Sequence, residues 1–501
     1  MYTEPRSLSQ DYSRDDWKRG YLSQHQESEY WLDHLEGDIP PELCGTLFRV
    51  GPGLLDINGY PVNHPFDGDG MVCAIAFKDG RAHFRNRFVQ TQGFLEEQKA
   101  GKPLYRGVFG TQKPGGWLGN IFDTRLKNIA NTNVIYWGGK LLALWEAAEP
   151  HRLNPHTLET LGLEDLDGVL EEGDAIAAHP HIDPHSQGNH GEPCLVNFAV
   201  KPGPSTAITL YEFATSGKLL RQQTRFIPGF AFLHDMAITP NYCIFFQNPV
   251  SFNPLPYLLG FRGAAECIEF NPNTSTKIIV IPRDGSGAMN ILDAEPCFVF
   301  HHANAWEDNG DIYVDSICYN SFPQPTADSD FRDVDFETIP EGQLWNFRLN
   351  LEEETVSHQV VESRCCEFPV LHPEKVGRKA RYLYMGTTHR EQGNAPLQGV
   401  MKCDRLTGER QVWSFAPRGF TGEPTFVPHP QGTEEDDGWL LLLMYDAEHH
   451  RSDVVIFDAK SVDKGPLARL HLKYHIPYGL HGNFHAGVFW SLGDNSRRIY
   501  C

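Results

Sequence analysis

Residues 297–319 read CFVFHHANAWEDNGDIYVDSICY. Phe298, Phe300, Ala303 and Ala305 lead into a turn at Asp308-Asn309-Gly310, and Ile312, Val314 and Ile317 leave it, which is the pattern of a buried β-hairpin. His301 and His302 interrupt the first strand where core side chains belong. A buried imidazole nitrogen without a partner costs on the order of 1–3 kcal/mol, so these rings need partners from elsewhere in the chain. Taken alone, one could be a satisfied core residue and the other a surface residue. Three more histidines stand in similarly mixed settings, however: His179 in AIAAHPHIDP, His234 in FAFLHDMAIT and His481 in IPYGLHGNF.

Outward from this hairpin the same rhythm repeats. Turns are expected at Lys78-Asp79-Gly80, Gly138-Gly139, Ser216-Gly217 and Thr407-Gly408, each between strand-like runs, and further strands at 243–247, 277–281, 382–385, 440–445 and 454–457. Short strands sustained over this length, with no Pro/Ser-rich linker at which to cut, fit tandem sandwiches or one closed β-propeller, whose radial blades leave only short protected edges. Residues 1–35 are polar and read as an arm with a short helix capped by Ser13. Two insertions break the rhythm, GKPLYRGVFGTQKPGGWLGNIFDTRLK at 101–127 and FNPLPYLLGFRGAA at 252–265. Each is either a loop folded on the core or an apolar collar for a bilayer.

The chain has 501 residues with 43 Lys+Arg against 65 Asp+Glu, a net charge of −22, which argues against nucleic-acid backbone binding and against a polybasic membrane anchor. Eleven cysteines without a C-x-x-C pair argue against a disulfide framework or zinc ribbon. The N-terminal residues lack a secretory h-region, and the longest apolar run, WLLLLMY at 439–445, is strand length. A reducing, cytoplasmic compartment fits best.

His179, His234, His301 and His481 are too dispersed for a local zinc knuckle, but ligands from different blades can meet on a propeller axis. Glu146 at the end of LLALWE, Glu367 in CCEFPV and Glu423 in TGEPTFV sit among apolar or small residues, where a lone carboxylate needs a partner. A metal-bound imidazole usually donates its other N–H to such a group. Four neutral imidazoles leave the ion's charge in place for outer carboxylates to offset, and suit Zn, Cu, Fe or Ni.

In sequence order, FRVGPG, HPFDGDGM, ALWEAAEPHRL, AHPHIDP, FLHDMAIT, FHHANAWED, DSICYNS, CCEFP, GEPTFVPHP and YGLHGNF resemble the carotenoid cleavage oxygenase family from about Asp38 onward, and in detail its cyanobacterial apocarotenoid-15,15′-oxygenases. The resemblance implies an all-β, seven-bladed β-propeller over 36–501 with a non-haem Fe(II) on its axis and a loop dome that holds a polyene tunnel. It implies His179, His234, His301 and His481 as ligands, with His301 chosen over His302 because the family ligand lies three residues before Asn304. By the same resemblance Glu146, Glu367 and Glu423 pair with His234, His301 and His481. The resemblance also implies that Thr132 lies beside the iron and restricts a vacant site, and that Phe66, Trp145 and Phe300 line the tunnel.

The implied reaction uses O2 to split the 15,15′ double bond of a linear apocarotenoid into retinal and a shorter dialdehyde. Stilbene cleavage, retinoid isomerisation and a non-catalytic lipid-binding propeller are the alternatives on the same scaffold. Polyenes dissolve in bilayers, which favours peripheral membrane contact through Trp117, Phe122, Leu258, Leu259 and Phe261. The sequence sets no oligomeric state.

Overall fold

In the computed structural model, which describes residues 11–323, 330–490 and 499–500, the hairpin at 297–319 forms strands Phe298–Asp308 and Asp311–Tyr319. Asn309 and Gly310 both take the left-handed conformation, with φ of 54° and 86°, which matches the turn to the twist of the flanking strands. Gln343–Asn350 and Thr355–Glu362 continue the pair outward into a four-stranded antiparallel sheet. Asp79-Gly80 and Gly138-Gly139 use the same left-handed pair at their own hairpins.

Among the described residues seven such sheets follow one another, and the architecture is a seven-bladed β-propeller of the kind its structural neighbours adopt. Six blades begin at strands Asn133–Trp137, His181–Asp183, Ala237–Ile238, Phe298–Asp308, Cys366–Val370 and Thr425–Pro428 and run outward in chain order. The seventh mixes the two ends of the chain. Gly482–His485 pairs with Gly45–Leu54, followed by Asp69–Lys78, Arg81–Phe88 and finally Ser28–Trp31. The preceding blade is likewise finished by an N-terminal strand, Leu35–Gly37, on Ala468–His471. Gly482–His485 neighbours both Asn133–Trp137 and Thr425–Pro428, and Ala237–Ile238 neighbours both His181–Asp183 and Phe298–Asp308, so the first strands of the blades surround a common axis.

The core lies between blade faces. Ala237, Ile244 and Val280 of one blade pack on Val299, Ala305 and Val314 of the next, all fully or almost fully buried. Each buried Val or Ile of this kind stabilises the fold by about 1.5–3 kcal/mol relative to exposure. Nine cysteines are buried thiols within the blades or beside them.

Helix Arg14–Arg19 starts at Ser13, whose Oγ accepts the Asp16 N–H, and buries Trp17. The insertions at 101–127 and 252–265 carry only short helices, Gly116–Asn120 and Pro254–Leu258, and meet each other. The buried Arg106 guanidinium holds them together, donating to the carbonyls of Asp123, Tyr257 and Arg262 at 3.0, 2.9 and 2.7 Å. No helix among the described residues is long and apolar enough to cross a membrane.

Candidate metal centre

The chain reaches the axis seven times, and the candidate site residues sit where it does. His179 precedes strand His181–Asp183, His234 precedes Ala237–Ile238, His301 lies near the start of Phe298–Asp308, and His481 precedes Gly482–His485. Thr132, Glu367 and Glu423 occupy the corresponding places at the other three blades. Residues distant in sequence are thereby brought to one level of the ring.

One ring nitrogen from each of His179, His234, His301 and His481 lies within 4.8 Å of those of the other three. The His179 and His481 Nε2 atoms are 3.1 Å apart, and the His301 Nε2 is buried without a hydrogen-bond partner. Metal–imidazole bonds of about 2.1 Å place ligand nitrogens up to about 4.2 Å apart, so one first-row ion fits this ring after small rotations.

The outer nitrogens are held individually. His234 Nδ1–H donates to Glu146 at 2.7 Å, His301 Nδ1–H to Glu367 at 2.6 Å, and His481 Nδ1–H to Glu423 at 2.9 Å. This fixes the tautomer that turns three Nε2 lone pairs inward. His179 has no carboxylate, and its buried Nδ1 lacks a partner.

Burial holds His179 well below the usual imidazole pKa, and the neighbouring rings add to that effect. Burial also lowers His481 against the pull of Glu423. At His301 burial acts in the same direction, but the Glu367 charge and hydrogen bond outweigh it and raise the pKa. Burial opposes ionisation of Glu367 and Glu423, yet His301 for the first and Arg49 and His481 for the second leave both below the usual carboxylate range.

Sequence reading missed part of this shell. Glu423 forms a buried ion pair with Arg49 and accepts the Gly482 N–H at 3.1 Å; Glu367 accepts from the Tyr319 hydroxyl at 2.8 Å. The available signal was an arginine in the otherwise uncharged strand GTLFRVGPGL. His302, next to His301, points away from the ring and is satisfied by Ser316 Oγ at 2.8 Å.

The ring opens on a cavity of about 350 Å³ lined by His234, His301 and His481, with Thr132, Phe66, Trp145 and Phe300 on its wall. Phe109, Phe232, Phe322, Leu397 and Tyr478 extend the apolar lining, and the N-terminal arm contributes Trp17 and Tyr21. Thr132 is 8% exposed; its Oγ1 lies 3.2 Å from Asn131 Oδ1, and its carbonyl accepts the His481 N–H at 3.2 Å.

On the outside, Trp117, Phe122, Leu259 and Phe261 are exposed, while Leu258 is half-buried. Trp117 and Phe261 rings lie 5.8 Å apart, and the Phe122 N–H donates to the Leu258 carbonyl, so these residues form one patch. Leu118 and Leu255, 68% and 63% exposed, lie on its two short helices.

The family described as RPE65, retinal pigment epithelial membrane protein, matches residues 21–486. The chain belongs to this RPE65/carotenoid oxygenase family. Apocarotenoid-15,15′-oxygenase from Synechocystis sp. is 56% identical over 97% of this chain and 99% of its own length. Isoeugenol monooxygenase from Pseudomonas nitroreducens is 29% identical over 91% of this chain and 95% of its own. Among solved structures, cobalt-substituted Synechocystis ACO superposes with a TM-score of 0.94 at 56% identity, covering 95% of this chain and 100% of that one. An ACO/RPE65 chimera gives the same values.

Proposed function

We propose that this member of the family is a non-haem Fe(II) dioxygenase that cleaves the 15,15′ double bond of linear apocarotenoids, such as apo-8′-carotenals, to retinal and a shorter dialdehyde. The observation that carries the reading is the buried four-imidazole ring opening on an aromatic cavity, in a chain 56% identical to an apocarotenoid-15,15′-oxygenase. Fe(II) held by His179, His234, His301 and His481 supplies the activation of O2 that no organic side chain in the cavity provides.

The protein's own residues do the rest. Glu146, Glu367 and Glu423 hold the Nδ1 protons of three rings and offset the ion's charge from outside the ligand set. Thr132, on the cavity wall and bonded to the His481 backbone, narrows the space beside the ring. Phe66, Trp145 and Phe300 grip a flat conjugated chain by dispersion and keep water from the reacting bond. The patch of Trp117, Phe122, Leu258, Leu259 and Phe261 is the contact through which a cytoplasmic protein draws substrate from a bilayer. The insertion that carries Trp117 and Phe122 also places Phe109 on the cavity wall, which supports a route from one to the other. Residues 36–501 act as the catalytic unit, and the arm of residues 1–35 completes its propeller by adding strand Ser28–Trp31 to the seventh blade.

The test is conversion of apo-8′-carotenal under 18O2. Label is expected in both carbonyl products and no retinal is expected in anaerobic buffer; retinal released without oxygen sinks the dioxygenase reading. Similarity to isoeugenol monooxygenase favours one competing reading, a shorter phenylpropenoid substrate. Faster turnover of isoeugenol than of apo-8′-carotenal would select it.

A further inference from the structure

Beyond the three glutamates, one more buried acid stands beside the ring and bonds to its neighbours in the chain. Asp235 follows His234, and only 3% of its side chain is exposed. Its Oδ1 accepts the His181 Nε2–H at 2.9 Å and the Met236 N–H at 2.7 Å, while its Oδ2 accepts the His302 N–H at 2.8 Å. The two long-range donors stand beside ligand positions: His181 is two residues after His179, and His302 is one residue after His301. One carboxylate therefore ties together the segments that carry three of the four clustered histidines.

The geometry of the donors makes this a rigid connection. His302 offers its backbone N–H, while its ring is independently fixed by Ser316 Oγ and packed 4.9 Å from the Phe246 ring. His181 begins the strand that follows His179, the one clustered histidine with no carboxylate of its own. Ala237–Ile238, just beyond Asp235, touches the strands on both sides, so the carboxylate spans the seams between three successive blades. Those seams are also closed by apolar packing, which is non-directional and tolerates small slips, and by polar contacts of their own, such as Arg283 with Asp183 at one and Asn248 with Val299 at the other; Asp235 bonds across both at once. Ligand atoms need placement to about 0.5 Å.

We propose that Asp235 is a positioning residue of the metal centre, a buried clamp that sets the spacing of His179, His234 and His301 before the ion binds. The proposal rests on reading the four-histidine ring as a metal site. Aspartate is required because both oxygens accept. An asparagine keeps one acceptor oxygen and turns N–H groups toward either the His181 and Met236 donors or the His302 donor, so one seam is released.

The experiment is titration of the metal-free full-length protein with Co(II), read by visible absorption and calorimetry, together with the melting temperature of each metal-free variant. Asp235→Asn is expected to weaken Co(II) binding tenfold to a hundredfold and to change the absorption bands that report coordination. His181→Phe removes one donor at a partly exposed site and is expected to give a smaller loss, with the same direction of spectral change; it carries the test if Asp235→Asn does not fold. Asp453→Asn is the control for burial alone. That carboxylate is fully buried and bonded to Arg451, Arg469 and His471, remote from the ring, and its loss should lower the melting temperature without moving the Co(II) affinity. The clamp is overturned if both test variants bind Co(II) as wild type does with the same spectrum, or if Asp453→Asn weakens binding equally. A wild-type protein that takes up no Co(II) or Fe(II) overturns the metal centre itself, and the clamp with it.

Discussion

Glu423 shows how much of the site hangs on side chains that never face the cavity centre. It holds His481 Nδ1, the Gly482 N–H and the Arg49 guanidinium at once, with Arg49 and Glu423 side chains 6% and 13% exposed. Removing one partner of a buried ion pair leaves the other charge uncompensated, at a cost of about 3–5 kcal/mol. Arg49→Met should therefore lower the unfolding free energy by roughly that amount in urea titrations. It should also weaken metal binding, because Glu423 and His481 lose a fixed position. A variant as stable as wild type would show that this pair contributes nothing net. The histidines were legible in the sequence because imidazoles in apolar runs demand an explanation. The choice between His301 and His302 was not, since both lie inside the same buried strand and only the family spacing separated them. The strand shifts register around His302, which no propensity argument foretells. Arg49 and Asp235 were passed over for a related reason: within an apolar strand or beside a clustered histidine, a single charged residue does not reveal its distant partner.

Among the elements, hairpins were legible and their lateral neighbours were not. Asp-Gly, Asn-Gly and Gly-Gly turns declare themselves through backbone conformations that other residues adopt only with strain, whereas a three-residue strand such as Leu35–Gly37 has no pattern of its own. The two insertions show the same limit. Each was ambiguous alone, and no local pattern signalled that Arg106 in one would fasten carbonyls of the other. Their meeting concentrates Phe122, Leu255 and Phe261, exposed by 71%, 63% and 59%, in one place. Burying each in a bilayer is worth about 1.5–3 kcal/mol, so replacing the three with Ser should lower partitioning to neutral phosphatidylcholine liposomes at least a hundredfold. With a net charge of −22 any attraction to a bilayer must be apolar, and raising salt should not weaken it. Sedimentation with liposomes at low and high salt measures both; unchanged binding of the triple variant removes this patch from membrane contact.

At the scale of the whole molecule the question is what keeps the ring shut. The four histidines belong to four blades, so a bound ion would staple them, but Ser28–Trp31, Leu35–Gly37 and Gly482–His485 already interlace the two ends of the chain across the last two blades. Helix Arg14–Arg19 adds to the closure: Tyr478 donates its hydroxyl to the Trp17 carbonyl at 3.1 Å, and a side chain at Gly20 would collide with its ring. Magnitudes separate the two fasteners. An ion present at a hundred times its dissociation constant stabilises the folded state by about 2.7 kcal/mol. An unfolding entropy of roughly 2 cal/mol/K per residue amounts to about 1 kcal/mol/K over this chain, so stripping the ion should lower the melting temperature by only about 2–3 °C. Deleting residues 1–37 removes two edge strands and the Trp17 anchor, exposing the apolar faces beneath them, and should lower it by tens of degrees or leave the protein insoluble. Scanning calorimetry of the chelated full-length protein, the same sample with Fe(II) restored under argon, and the truncated chain makes the comparison. If chelation alone collapses the melting temperature while the truncated protein stays folded, the propeller is held by its ion, and the interlaced termini are ornament to a ring closed from the centre.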